Sequence, residues 1–290
     1  MSRTRDKRGP SGVHRPFGLV LCGGGGRGFC HVGVLRALEH HGYRPSAIVG
    51  VSMGAIVAVT YGLNRNWYRA LIDADVSGFP AVPGTGKGLR ARVSQLRVWE
   101  RVVVDMLFGW GVGQRYRTKV MKLLRGLTGG GRLEACRPPV AVVATDLTSG
   151  GRVVLDEGDA ASAAYASSAH AGLFPPLQMG DALLVDGAYA DLAPIDVARS
   201  LGAEAVIAVH PELPGHSPNV SNGLHAMIRA VDICNIEHTR MNLAAADLVL
   251  RPDFPVLVET LDFTRMRLCA AAGARTVRGR LREIARVARA

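Results

Sequence analysis

Three short stretches carry residues able to do chemistry. Residues 48–55, "IVGVSMGA", contain Gly50-Val51-Ser52-Met53-Gly54, a G-x-S-x-G. Glycines on both sides of a serine suit a sharp turn between strand and helix that projects the hydroxyl. The N–H groups of the new helix then lie beside the serine oxygen, where negative charge develops during acyl transfer. Residues 19–29, "LVLCGGGGRGF", place Gly23, Gly25 and Gly28 in a G-x-G-x-x-G behind an apolar run. The backbone N–H groups of such a loop can face a nucleotide pyrophosphate or an oxyanion made during catalysis. In the third stretch, "LLVDGAYADLAP", an apolar run delivers Asp186 to a turn at Gly187.

A serine hydroxyl needs a base. His40, His41, His216, His225 and His238 fall on expected helices or loops, away from strand ends. His210 ends a strand but reads as a structural residue. Asp186 is the better candidate, because the reactive groups of an α/β sheet gather at strand ends. His170 falls on the same side of the expected site and reads as a surface histidine able to alter substrate preference.

These residues need a scaffold that presents strand ends. "FGLVLC" reads as a short buried strand, Arg27–His41 as a helix, Ala47–Val51 as a second strand and Met53 to about Leu63 as a second helix. Strand, turn, helix recurs, which predicts an α/β fold with parallel central strands. The rhythm breaks over about 65–137, which predicts an inserted helical cap. It resumes in "PVAVVATDL", "GRVVLDEGD", "ALLVDGAYADLAP" and "EAVIAVH". A long helix is expected over 219–246, then a last strand in "DLVLRP" and a terminal helix. On that helix Val277, Leu281, Ile284 and Ala288 share one face while Arg275, Arg278, Arg282, Arg286 and Arg289 line another. The expected organisation is a disordered basic arm (1–15), a main domain (16–250) and a basic helical C-terminal segment (251–290).

Composition narrows the classes. With 290 residues, 48% of them hydrophobic, one large core can form. No apolar run long enough to span a bilayer occurs, and the basic N-terminus lacks the apolar core of a signal peptide, so a soluble chain is expected. Cys22, Cys30, Cys136, Cys234 and Cys269 show no C-x-x-C spacing, which argues against zinc and disulfides and for a reducing cytoplasm. The net charge of +11 is uneven. Twelve Lys/Arg between Gly84 and Arg137 face only Glu100, Asp105 and Glu134, which points to an anionic surface. A nucleic-acid partner is not expected, because interleaved aromatics and recognisable binding modules are missing.

Taken together, "CGGGGRGF", "VGVSMGA" and "VDGAYADLAP" resemble, in order, the three signature blocks of the patatin-like phospholipase family: G-G-G-x-R/K-G, G-x-S-x-G and D-G-G/A. "VATDLTSGGRVVL" and "GLFPPLQ" add to the resemblance, which covers roughly 17–64 and 138–210. It implies a three-layer α/β/α fold with a mostly parallel sheet, and a Ser–Asp dyad in place of a triad. Ser52 would be the nucleophile and Asp186 its base. Gly24, Gly25 and Gly26 with Arg27 would form the oxyanion-hole loop, within motif glycines Gly23, Gly28, Gly50, Gly54 and Gly187. Phospholipids, lysophospholipids or simpler long-chain esters would be the substrates, with no cofactor or metal. Peripheral contact with an anionic membrane fits the basic cap and the Arg-lined terminal helix. The alternative is a membrane-associated scaffold or regulatory protein that keeps the fold with little turnover. The dinucleotide reading weakens, since the acidic residue expected at the end of the second strand is replaced by Ser52. Two departures stand out: Ala171 where the family tends to proline, and Ala188 in the third motif.

Overall fold

Five-residue apolar runs build the centre of the sheet. In the computed structural model, which describes residues 16–76, 109–110, 112–212 and 220–288, β1 (Phe17–Leu21) and β2 (Ala47–Val51) are buried at every position. So are β3 (Val140–Asp146) and β7 (Ala205–Val209). Strands buried on both faces are the mark of a parallel sheet covered by helices. Accordingly β1 pairs parallel with β2 and β7, β2 with β3, and β7 with β8 (Leu248–Leu250). β4 (Arg152–Leu155) and β6 (Ala182–Asp186) join β3 antiparallel, and β5 (Leu177–Met179) joins β6. The described sheet thus has eight strands, mixed but parallel at its centre.

Side chains alternate between its faces. Leu19, Leu21, Ile48, Val140, Val142 and Ile207 enter one core with α1 (Cys30–His40), α2 (Met53–Leu63), α3 (Trp67–Ile72), α4 (Arg117–Thr128) and α5 (Ala160–Ser168). Val20, Val49, Val51, Ala141, Val143 and Val206 enter the other, with α6 (Ile195–Ser200) and Leu243 at the end of α7 (Gly223–Leu243). Helices therefore cover both faces, as the three-layer expectation requires. The C-terminal helices α8 (Met266–Gly279) and α9 (Leu281–Val287) complete the first core through Cys269, Val277 and Ile284. At the crossing of α1 and α8 a Cβ on Gly273 would lie 2.0 Å from the Cys30 carbonyl oxygen, so only glycine lets the two helices meet so closely.

Several expectations shift in detail. The helix foreseen from Arg27 opens with a 3-10 turn, Gly25–Phe29, before α1. The terminal helix is interrupted at Arg280, yet its apolar face is as foreseen, with Val277, Ile284 and Ala288 buried. β5 was not anticipated, since Pro175 and Pro176 immediately before it read as loop; Gly180, at φ 57°, turns it back onto β6. The basic arm (1–15) and residues 77–108 of the expected cap lie outside the described residues, as does His216. The described elements of the cap region are α3, α4 and 3-10 turns at Val112–Arg115 and Leu133–Ala135.

Candidate active site

The register of β3 brings two distant segments together. On one edge of β3, Val142, Val143 and Ala144 pair with Leu155, Val154 and Val153 of β4. Val143 also pairs with Val51 of β2, and the next residue, Ala144, with Asp186 of β6. Each residue has two edges, so β2 and β6 share the edge that β4 leaves open. β2 runs parallel to β3 and β6 antiparallel, so their carboxyl ends meet head-on. The residue after Val51 is Ser52, and the last residue of β6 is Asp186.

Ser52 stands at φ 55°, ψ −123°, the non-glycine residue with positive φ among those described. Such backbone costs about 1–3 kcal/mol and persists only where its surroundings enforce it. Gly54 is part of that enforcement: a Cβ there would lie 2.0 Å from the Leu21 carbonyl oxygen. The Ser52 N–H donates to Ser167 Oγ at 2.8 Å, and that hydroxyl donates to the Val143 carbonyl at 2.6 Å. Ser167 thereby ties the strained residue to β3. Sequence reasoning missed it, because a serine in the alanine-rich "AASAAYASS" gives no sign of a contact 115 residues away.

The Ser52 hydroxyl donates to Asp186 Oδ2 at 2.7 Å, while Oδ1 accepts the Ala188 N–H at 3.0 Å. Asp186 is buried, and loss of hydration raises its pKa above the ordinary carboxylate value. The charge of His170, the Ala188 N–H and the Ser52 hydroxyl oppose that rise. Buried Thr145, a second residue the sequence did not flag, donates to the Asp186 carbonyl at 2.9 Å and accepts the Ala190 N–H at 3.0 Å. Both oxygens of the carboxylate are thus held, one by the hydroxyl and one by the backbone. A hydroxyl donating to a desolvated carboxylate can pass its proton along that bond.

The glycine loop divides its donors. The Gly26 N–H goes to the Thr260 carbonyl at 2.8 Å and the Arg27 N–H to the Gly24 carbonyl at 3.1 Å. The Arg27 guanidinium turns inward, reaching the carbonyls of Pro211 at 3.2 Å and Val258 at 2.9 Å. Two of the four residues expected to form a donor wall therefore fasten the loop to the C-terminal segment. The N–H groups of Gly24 and Gly25 have no backbone acceptor among the described residues. Gly23 packs against the nucleophile turn, where a Cβ would lie 3.2 Å from that of Ser52.

Among the described residues no histidine hydrogen-bonds the side chain of Ser52 or Asp186. His31 is buried, with Nε2 2.7 Å from the Cys22 carbonyl oxygen, and burial pushes its pKa down to about 4. His210 follows β7, with its Nδ1 buried and unpartnered among the described groups. His170 is exposed, 2.9 Å from the Tyr189 hydroxyl. Among the described residues, no cluster of three or more His, Cys, Asp or Glu could hold a metal ion.

Comparison with known proteins was made on sequence and on structure. A family model described as patatin-like phospholipase matches residues 19–199. Lysophospholipase NTE1 of Debaryomyces hansenii is 31% identical over 195 residues, which is 66% of this chain and 11% of that protein. Patatin-like phospholipase domain-containing protein 7 of Mus musculus is 29% identical over 193 residues, 66% of this chain and 13% of its own length. An NTE family protein of Mycobacterium bovis is 29% identical over 198 residues, 66% of this chain and 48% of that protein. The matched region thus spans about a tenth to a half of these relatives. Among solved structures, VipD from Legionella pneumophila has a TM-score of 0.46 at 14% identity, covering 96% of this chain and 72% of that one.

Proposed function

From a chain that belongs to the patatin-like phospholipase family, we propose a serine acyl hydrolase that cleaves fatty-acyl esters of phospholipids or lysophospholipids. The observation that carries the reading is the 2.7 Å bond from the Ser52 hydroxyl to Asp186 Oδ2, made from a strained strand–helix turn. In the first half-reaction Asp186 takes the hydroxyl proton as Ser52 Oγ attacks the ester carbonyl carbon. The resulting oxyanion is received by the N–H groups of Gly24 and Gly25; losing one such donor costs about 3–4 kcal/mol in the barrier. Collapse breaks the acyl–oxygen bond, and Asp186 returns the proton to the departing alcohol. In the second half, water gives its proton to Asp186 and attacks the acyl-serine, releasing the fatty acid and restoring the hydroxyl. Arg27 and Gly26 serve by holding the loop in place. Residues 16–250 constitute the hydrolase domain, with the helical cap inserted at about 65–137, and 251–290 its packed C-terminal extension.

Two surface features support action at an anionic membrane surface. α4 buries Val120, Leu124 and Leu127 and exposes Arg117, Lys119, Lys122 and Arg125. α7 leaves Met227, Val231, Ile233, Ile236 and Met241 exposed, an unusual apolar display. Among the described residues no helix is long and apolar enough to cross a membrane.

The test is hydrolysis of a long-chain p-nitrophenyl ester, with labelling by a fluorophosphonate probe. Ser52→Ala should abolish both, and Asp186→Asn should abolish hydrolysis. Full activity in either variant overturns the dyad, and no labelling of the native chain favours a scaffold without turnover. Flotation with vesicles containing phosphatidylglycerol, and not with phosphatidylcholine alone, would support the membrane surface; equal behaviour with both refutes it.

A further inference from the structure

We infer that Asp191, a buried carboxylate beyond the D-G-A block, is a positioning residue that holds the loop between Asp186 and the glycine loop in its working shape. This rests on the reading of Ser52 and Asp186 as the hydrolytic dyad. Among the described residues the Asp191 side chain bonds to neither of them, so it acts through the groups it fixes.

Residues 187–193 meet the site at both ends. At one end the Ala188 N–H donates to Asp186 Oδ1 at 3.0 Å. At the other, Leu192 packs on the glycine loop: a Cβ on Gly23 would lie 2.7 Å from Leu192 Cδ1 and 3.2 Å from Ser52 Cβ. Asp191 stands between these contacts and is fastened by backbone and side chain together. Its N–H donates to the Gly187 carbonyl at 2.9 Å, closing the turn that presents Ala188. Its Oδ1 accepts the Ala193 N–H at 3.0 Å and Asn242 Nδ2 of α7 at 2.9 Å. Its Oδ2 accepts from the Arg152 guanidinium of β4 at 2.7 Å. One buried side chain thus ties the loop to β4, to α7 and to the approach of α6.

Arg152 is itself fixed on both sides. It pairs across the sheet with Thr145 of β3, the residue that holds the Asp186 carbonyl and the Ala190 N–H. Its guanidinium also reaches the two carboxylate oxygens of Asp196 in α6, at 2.8 and 2.6 Å. The loop is therefore pinned to β3 through Ala190 and to β4 through Asp191, at consecutive residues. A buried carboxylate that loses its partners is strongly disfavoured, so loop arrangements that break these bonds are penalised. With an apolar residue at 191 that penalty disappears, and Ala188 and Leu192 can shift. A displacement of about 1 Å at the reacting groups costs on the order of a hundredfold in rate.

The experiment measures kcat and KM on a p-nitrophenyl ester beside thermal unfolding, in the full chain and its variants, each assayed well below its own Tm. Asp191→Leu, which keeps a branched shape without the acceptors, should lower kcat about 10- to 100-fold with KM changed less than about threefold. Asp191→Asn keeps an oxygen for Ala193 and Asn242, and should recover kcat to within about fivefold of the native value. Arg152→Gln and Asn242→Ala each remove one tie from a side chain that solvent partly reaches. Each should lower kcat about three- to tenfold, and they decide the matter if Asp191→Leu does not fold. Asp247→Ala is the comparison: it breaks an ion pair with Arg199 and a bond from the Val206 N–H at the amino end of β7. It should lower Tm yet leave kcat within about twofold. Native kcat in both Arg152→Gln and Asn242→Ala overturns the inference. So does an Asp191→Asn variant no better than Asp191→Leu, or a loss of kcat in Asp247→Ala as large as in Arg152→Gln. If hydrolysis by the native chain does not depend on Ser52, the dyad reading fails and this inference with it. Hydrolysis that depends on Ser52, with normal turnover in the Arg152 and Asn242 variants, fails the inference alone.

Discussion

Replacing Ser167 with alanine tests whether the strained turn at Ser52 is held from behind. The hydroxyl accepts the Ser52 N–H at 2.8 Å and donates to the Val143 carbonyl at 2.6 Å, and it is wholly buried. Its removal leaves a donor and an acceptor unsatisfied where water does not reach the Ser167 side. One such loss costs about 1–3 kcal/mol, which for a domain of this size lowers Tm by about 2–6 °C. The effect on catalysis arises separately from that on stability. The φ of 55° at Ser52 stores about 1–3 kcal/mol of strain that relaxes once its tether is cut. A reacting oxygen displaced by about 1 Å costs on the order of a hundredfold in rate. We therefore expect kcat to fall about 10- to 100-fold, or about 1.4–2.7 kcal/mol in the barrier, with KM changed less than about threefold. The assay pairs kcat and KM on a p-nitrophenyl ester with thermal unfolding and the rate of fluorophosphonate labelling. A variant that melts lower yet keeps kcat within about twofold would refute the claim that Ser167 holds the nucleophile turn.

Two further outcomes follow from buried groups. Burial depresses the His31 pKa to about 4 in the folded chain, against about 6.5 when unfolded. Below the unfolded value the unfolded chain binds a proton that the native one refuses. The stability from this residue is therefore intact above about pH 6.5 and lost, by about 3 kcal/mol, as pH falls toward 4. Urea midpoints at about pH 7.5 and 4.5 should converge for His31→Gln relative to the native chain, and parallel losses in both would contradict the assignment. Gly54→Ala places a Cβ 2.0 Å from the Leu21 carbonyl oxygen, so β1 and α2 must separate. Such overpacking costs about 1–3 kcal/mol or more, and fluorophosphonate labelling should disappear even where circular dichroism shows a folded chain. Normal labelling would mean that the turn tolerates a side chain the structure says it cannot.

What could be read in the sequence is what a single residue enforces locally. Gly50 and Gly54 are legible because a Cβ at either would strike backbone, at 2.5 Å from Ala55 Cα and 2.0 Å from the Leu21 carbonyl oxygen. The buried strands announced themselves as apolar runs, and the face of Val277, Ile284 and Ala288 as a helical repeat. Asp186 was found because it closes such a run. What escaped depends on partners far along the chain. Neither the Ser167 relay nor the loss of the Gly26 and Arg27 donors to Thr260, Pro211 and Val258 leaves a local mark. Pro175 and Pro176 hid β5, which pairs with β6 and so backs the strand that carries Asp186.

The pairing of Val143 with Val51 and of Ala144 with Asp186 would let the proposed dyad work without the histidine that usually stands between a serine and an acid. Two strands that end face to face on one edge of β3 bring a turn serine and a strand-terminal carboxylate into direct contact, leaving no gap for an imidazole. The geometry carries a cost, because a carboxylate that close to Ser52 is buried and its pKa rises. A triad spares its base this problem, since the acid touches only the histidine. A one-residue slip of β6 along β3 would turn the carboxylate to the other face of the sheet. Thr145, which holds the Asp186 carbonyl and the Ala190 N–H together, fixes that register at the point where it matters.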